Sequence, residues 1–181
     1  MKFRNLNAFI ELWGNKGTDE TTITRFLKDD ENKFILTMQF GVKDIYPELR
    51  CPEICSQRGS IRPDFFIKKT NDICDIVEFK LPRLKNPIVV GNKNRRKFSI
   101  LFSTYLAQAK AYVRYFSNEN NRGSVYKIHG LQVENHKVTI VVGRCCDINT
   151  TEIREIMSEH TDINLISYDD LVDAVVAQLY M

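Results

Sequence analysis

Three residues in the middle of the chain combine side chains suited to metal, acid or base chemistry with a spacing that can bring them together. They are Asp64, in Arg62-Pro63-Asp64, and Glu78 and Lys80, in Glu78-Phe79-Lys80. The runs RPDFFIKK (62–69) and ICDIVEFKL (73–81) read as strands joined by a Thr-Asn-Asp turn. On a strand, residues i and i+2 share a face, so Glu78 and Lys80 point one way and Phe79 the other. Centring the turn on Asn71 makes paired positions sum to 142, which sets Asp64 opposite Glu78. Directly paired residues have Cβ atoms ~5 Å apart. A register slipped by one residue would send Asp64 to the other face of the sheet.

Two carboxylates this close repel unless a cation sits between them, and oxygen ligands of this kind suit Mg²⁺, which takes one or two protein carboxylates and fills the rest with water and phosphate. Such an ion lowers the pKa of its water and stabilises charge on a scissile phosphate. A lysine beside that water can orient it or neutralise the transition state. These are the parts that phosphodiester hydrolysis needs. The plainer alternative is a surface hairpin whose Glu78 and Lys80 form a solvated pair worth under about 1 kcal/mol.

The elements that must position these residues can be read along the chain. The first dozen residues read as an arm or a helix. Asp19 or Thr18 can cap a helix to about Lys28, since Ile23, Phe26 and Leu27 recur at helical spacing. Lys33 to Val42 is bulky and apolar and reads as a strand, and residues 43–61 as a loop with at most a short strand. After the hairpin, a basic linker runs to about Phe98. A helix covers roughly Ser103 to Asn118, with Leu106, Ala109, Val113 and Phe116 on one face. On that helix Tyr105, Gln108, Tyr112 and Tyr115 form a polar-aromatic stripe. Strands are predicted near 124–133 and 137–143, a helix opening at Asn149, a short strand over 163–168, and a last helix capped by Asp169. Alternating helices and strands in the second half make the fold class α/β, a mixed central sheet flanked by helices. Residues 1–16 are the arm or short helix, and 17–181 form a single domain.

Composition narrows the function. The 181 residues are 43% hydrophobic and 27% charged, an ordinary globular balance. No apolar run approaches the 18 or so residues of a membrane span, and five cysteines, an odd number with Cys145 and Cys146 adjacent, do not make a disulfide framework. Reduced thiols in a cytoplasmic protein are expected. Cys51, Cys55, Cys145 and Cys146 lack the usual zinc-ligand spacing, and His129, His136 and His160 have no nucleophile beside them in sequence. No P-loop or Gly-rich dinucleotide turn occurs, so no nucleotide cofactor is expected. The net charge of +3 hides an asymmetry. Lys80, Arg83, Lys85, Lys93, Arg95, Arg96 and Lys97 follow one another with no acid among them, whereas residues 152–173 hold seven acids and one Arg. A basic segment next to the acid-x-Lys strand is where a phosphate backbone would run, and Tyr112 and Tyr115 are candidates for stacking on bases.

The stretch IRPDFFI…DIVEFKLP resembles the core of the PD-(D/E)xK nuclease superfamily, and Gln108 and Tyr112 match the Q-x-x-x-Y spacing of several of its branches. Within it, the chain is similar to the Shedu-type anti-phage defence nucleases. Glu20-Thr-Thr-Ile-Thr-Arg-Phe-Leu resembles their opening helix, Val141-Val142-Gly143-Arg144 their late Gly-Arg strand, and Ile166-Ser167-Tyr168-Asp169-Asp170-Leu171 their closing strand-to-helix turn. The resemblance implies a restriction-endonuclease-like fold and a Mg²⁺- or Mn²⁺-dependent nuclease acting on phage or plasmid DNA, assembled as a homo-oligomer. It makes Asp64 and Glu78 metal ligands and Lys80 the catalytic lysine. Gln108 helps to place the metal water or the phosphate, and Glu20, or Asp19 beside it, is an outer ligand. The rival readings are a catalytically silent nucleic-acid-binding module of the same fold, a resolvase or repair-type nuclease, and an interaction domain that docks a partner on its acidic C-terminal helix.

Overall fold

The computed structural model describes residues 1–52, 60–92, 95–134, 136–148 and 150–180. In chain order the elements are α1 (Lys2–Gly14), α2 (Glu20–Lys28), α3 (Phe34–Phe40), β1 (Asp44–Pro47), β2 (Phe65–Lys68), β3 (Cys74–Phe79), β4 (Val89–Val90), β5 (Lys97–Phe98), α4 (Ile100–Ser117), α5 (Glu119–His129), β6 (Val138–Val141), α6 (Thr150–Met157), β7 (Ile163–Ile166) and α7 (Tyr168–Leu179). A short 3-10 turn, Cys145–Asp147, follows β6. Five strands form one sheet in the order β1-β2-β3-β6-β7. β2 pairs antiparallel with both β1 and β3, and β6 and β7 continue parallel to β3. The expected α/β class with a mixed central sheet flanked by helices is what the chain adopts.

Alternation along the strands sorts side chains between two apolar layers. Phe65, Ile67, Val77 and Phe79 face α1, α2, α3 and α7, where Phe9, Leu27, Leu36 and Tyr168 are buried. Phe66, Ile76, Val138 and Ile140 face the opposite way, onto Leu106, Tyr112 and Phe116 of α4 and Val125 of α5. Each fully buried aromatic or aliphatic side chain stabilises the fold by roughly 1.5–3 kcal/mol. Both faces are therefore covered, as a sheet with parallel strands requires. Among the described residues no helix is long and apolar enough to cross a membrane.

Four local readings are corrected. Lys33 to Val42 is not a strand. Its apolar residues sit on α3, where Ile35 and Leu36 enter the core, and Gly41 ends it at φ 58°, a left-handed cap glycine adopts without strain. The strand expected near 124–133 is instead α5, with Asn121, Ser124 and Val125 buried at helical spacing. Asn118 caps its start by accepting the Asn120 and Asn121 N–H groups, and Gly130, at φ 68°, ends it. Only Gln132 of that stretch reaches the sheet, in a bridge to Ile73. The basic linker contains a small antiparallel ladder, Val89–Val90 on Lys97–Phe98. Finally, Ser167 rather than Asp169 caps α7, in a reciprocal capping box with Asp170. Asp169 accepts the Cys145 N–H instead, at 2.8 Å.

Candidate active site

The hairpin register is the one that joins the two acids. Phe65 pairs with Val77 and Lys68 with Cys74, so paired numbers sum to 142 and the next pair outward is Asp64 and Glu78. Two hydrogen bonds interlock them. The Asp64 N–H donates to Glu78 Oε2 at 3.2 Å, and Asp64 Oδ2 accepts the Phe79 N–H at 2.8 Å. Asp64, Glu78 and Lys80 all lie on the α4 side of the sheet. Lys80 Nζ donates to Glu78 Oε1 at 3.0 Å and stands 3.5 Å from Glu20 Oε2.

α4 completes the cluster. Gln108 Nε2 donates to Glu78 Oε1 at 2.7 Å, and also contacts the Tyr112 hydroxyl at 2.7 Å. Tyr112 donates to Glu78 Oε2 at 3.2 Å. The i, i+4 spacing puts Gln108 and Tyr112 one helical turn apart on one face, so both reach the same carboxylate. Tyr105, one turn earlier, lays its ring 5.3 Å from Lys80 Nζ. Between the two acids considered for the opening helix, Asp19 is the α2 cap, accepting the Thr22 N–H at 2.7 Å, and Glu20 is the one beside Lys80.

This is a dry, charged site. Glu78 and Lys80 are only 4% and 5% exposed. Burial and the neighbouring Glu78 carboxylate push the Asp64 carboxyl up to about 7. Burial likewise holds Glu78 above the ordinary carboxylate range, against the pull of Lys80. Burial alone would lower the Lys80 ammonium, but Glu78, Glu20 and Asp64 outweigh it and hold Lys80 above its usual value. Burial, then Glu20, pushes the Tyr105 hydroxyl up to about 12. Tyr112 is raised as well, by burial and Glu78, so it remains a neutral donor. The cluster thus combines two carboxylates that resist full ionisation with a lysine that is firmly charged.

Those carboxylates fit a divalent ion. Among the described residues no three His, Cys, Asp or Glu side chains form a metal cage, but Mg²⁺ needs only one or two protein carboxylates with water completing its shell. Asp64 and Glu78 are hard oxygen donors whose mutual repulsion a cation would relieve. Of the Asp64 carboxylate, only Oδ2 carries a hydrogen bond among the described residues.

The residues expected to meet nucleic acid are scattered. Arg83 Nη2 donates to the Gly14 carbonyl. Arg96 bridges Glu152 at 2.8 Å and Glu155 at 3.4 Å, both on α6, so its charge is spent within the fold. Lys85, Arg95 and Lys97 are exposed, and Lys93 lies outside the described residues. Tyr112 is corrected: buried against Glu78, its ring offers no face to a base. Tyr115 donates to the Pro52 carbonyl at 2.6 Å. Of the cysteines weighed for zinc, Cys51 is buried, Cys145 and Cys146 are exposed, and Cys55 lies outside the described residues.

One supporting residue carried no chemical signal in the sequence beyond its place in the closing strand-to-helix turn. Tyr168, fully buried at the start of α7, donates to the Lys80 carbonyl at 2.7 Å. It is packed by Trp13, Phe9 and Phe79, with ring centroids 5.8, 6.3 and 6.0 Å away. The Lys80 N–H meanwhile donates to the Val141 carbonyl at 2.8 Å, so the lysine backbone is fixed from both sides. Tyr168→Phe should lower stability by about 1–2 kcal/mol, the cost of a buried carbonyl left without its donor. A urea midpoint that falls with an unchanged slope is the expected readout.

Comparison with known proteins bears on this site. The family described as "Shedu protein SduA, C-terminal" matches residues 17–172, a span that contains Glu20, Asp64, Glu78, Lys80, Gln108 and Tyr168. No curated protein matches the chain.

Proposed function

We propose that this chain, which belongs to the Shedu protein SduA C-terminal family, is a metal-dependent nuclease of restriction-endonuclease-like, PD-(D/E)xK type that hydrolyses DNA phosphodiester bonds in anti-phage defence. The family supports the defence role. The observation that carries the chemistry is the buried cluster in which Asp64 and Glu78 interlock and Lys80 stands 3.0 Å from Glu78.

Asp64 and Glu78 would hold Mg²⁺ or Mn²⁺, with Glu20 behind Lys80 as an outer carboxylate. Bound there, the ion would supply an acidic water and an electrostatic partner for the scissile phosphate. The protein's own share is positioning. Lys80 is held charged by three carboxylates, so it offers a fixed positive donor where an attacking water or a pentacoordinate phosphate gathers negative charge. Gln108 and Tyr112 lock the Glu78 side chain in one rotamer, which sets where Lys80 points. The ring of Tyr105 and the apolar face of α4 keep bulk water from screening these charges. A homo-oligomer acting on phage or plasmid DNA is the assembly this reading carries.

The test is direct. Supercoiled and linear DNA incubated with the protein should be cut with Mg²⁺ or Mn²⁺ and left intact with chelator. DNA that is bound but uncut under every metal would overturn the nuclease reading in favour of a silent binding module.

A further inference from the structure

Four cations surround a cavity of about 390 Å³ where the chain leaves β3 and β6: Lys16, Arg83, Lys85 and Arg144, with Asp147 at its edge. This is the carboxyl end of the parallel strands, where α/β sheets bind ligands. The lining sets four cationic side chains against one carboxylate, Asp147. The Nε atoms of both Arg83 and Arg144 are buried and have no hydrogen-bond partner among the described residues. Lys16 and Lys85 are exposed and form no ion pair among the described residues. Opposing charge is scarce and already engaged. Asp147 Oδ2 accepts the Arg144 N–H at 3.1 Å, and Asp169 stands 3.6 Å from Arg144 Nη2.

Those Nε atoms are closed to solvent, so what the cavity presents to an occupant is the positive charge of the two guanidinium and two ammonium groups. Two guanidinium donors and two ammonium groups around one space call for a ligand that only accepts and carries several anionic oxygens. Phosphate has that chemistry, and guanidinium groups match it in forked geometry. A second cavity of about 470 Å³, beside α4, sets Lys110 and Arg114 against Glu159 and Asp162 and has no such bias.

The arginines are held by the fold. Arg83 is anchored to the Gly14 carbonyl at the end of α1. The Arg144 guanidinium lies 5.2 Å from the ring centre of Trp13, which packs on Tyr168, the residue that holds the Lys80 carbonyl. The pocket and the catalytic lysine therefore share one rigid aromatic support while using different side chains.

We infer that Lys16, Arg83, Lys85 and Arg144 form a phosphate-binding subsite distinct from the Asp64–Glu78–Lys80 cluster. Resting on the nuclease reading for its source, the phosphate is one of the nucleic-acid backbone beyond the scissile position.

The test uses Lys16→Ala/Lys85→Ala, because both side chains are exposed and neither supports the core; circular dichroism confirms folding. Duplex binding is measured by fluorescence anisotropy in chelator across a salt series, and thermal stability with and without inorganic phosphate. The double variant should reduce the slope of log K against log salt by about 2, one for each lysine, whatever the DNA sequence. Lys110→Ala/Lys127→Ala, on α4 and α5, should leave the slope unchanged. Phosphate should raise the melting temperature of wild type more than that of the Lys16/Lys85 variant. A phosphate response lost in that variant, with no duplex binding by wild type, would keep the pocket for a free phosphate compound and remove the nucleic acid as its source. Slopes and phosphate responses equal in wild type and variant, or a slope lowered equally by the control pair, would overturn the pocket. The nuclease reading is then decided separately, by cleavage.

Discussion

Lys80→Met should reduce DNA cleavage by at least about 10²–10³-fold, the loss found when one pre-placed charge-stabilising donor is removed from a water-excluded site. Met keeps most of the lysine's length and packing, so the change isolates the charge. It has a structural cost as well. Glu78 stays buried without its cation, and breaking a buried pair from one side typically costs about 3–5 kcal/mol. Part of this is relieved here, because Gln108, Tyr112 and the Asp64 N–H still donate to Glu78 and its raised pKa lets it take a proton. Lys80→Met/Glu78→Gln should regain much of the lost stability, since a neutral pair needs no compensation, yet remain inactive. Cleavage assays beside chemical denaturation of the two variants check both halves. Cleavage within threefold of wild type in Lys80→Met would remove Lys80 from the mechanism.

Asp64→Asn should abolish metal-dependent cleavage and, in the metal-free state, make the protein more stable at pH 8. Asp64 titrates near 7 in the fold, mainly because it is buried and then because Glu78 is beside it, whereas an unfolded chain releases that proton near pH 4. Between these values the native state holds a proton that the unfolded state has lost. Stability therefore falls as pH rises from about 4 to 7 and is level above that. Three pH units correspond to an upper limit of about 4 kcal/mol, so a gain of roughly 2–3 kcal/mol for Asn at pH 8 is expected, falling to about a third of that at pH 5 and vanishing below about pH 4. Comparing the two proteins cancels other titrating groups, such as His136, whose pKa burial lowers. Mg²⁺ should stabilise wild type more at pH 8 than at pH 5, because a carboxylate ligand must be deprotonated, and should leave Asp64→Asn unmoved. Parallel pH profiles for the two proteins would show that Asp64 does not bear this strain.

The hairpin that bears Asp64 and Glu78 was the most legible part of the sequence because it is local. A three-residue turn fixes the register, and strand alternation then fixes the faces, so Asp64 opposite Glu78 followed without tertiary knowledge. Gln108 and Tyr112 were legible as a helical stripe, but periodicity cannot tell which stripe member turns inward, and Tyr112 went to the carboxylate rather than to solvent. Lys33 to Val42 failed because bulky apolar residues suit a buried strand and a buried helix alike; packing on α7 decided it. For α5 the signal was present, since Asn118 and Gly130 bracket a helix and Val125, Ile128 and Leu131 recur every three residues, but the β-branched and aromatic Val125, Tyr126, Ile128 and Val133 suit a strand as well. The basic segment misled in another way. Charge in sequence does not say what is already neutralised, and Arg96 spends its charge on α6. Lys16 and Arg144 lie 128 positions apart, so only the fold could unite them.

The hydrogen bond from Tyr168 to the Lys80 carbonyl spans 88 residues, and the β3–β6 pairing that holds the Lys80 N–H joins segments separated by about 60. Contacts this distant in sequence close late, because loop-closure entropy must be met before they form. On the ribosome, the hairpin bearing both acids emerges first. The backbone of its lysine is fixed only after Val141 and Tyr168 have been made. For a nuclease, the activity proposed above, this order would have a use. A chain whose synthesis stops before Tyr168 carries Asp64, Glu78 and Lys80 without the hydrogen bond that holds the Lys80 carbonyl, so on the nuclease reading it would not cut.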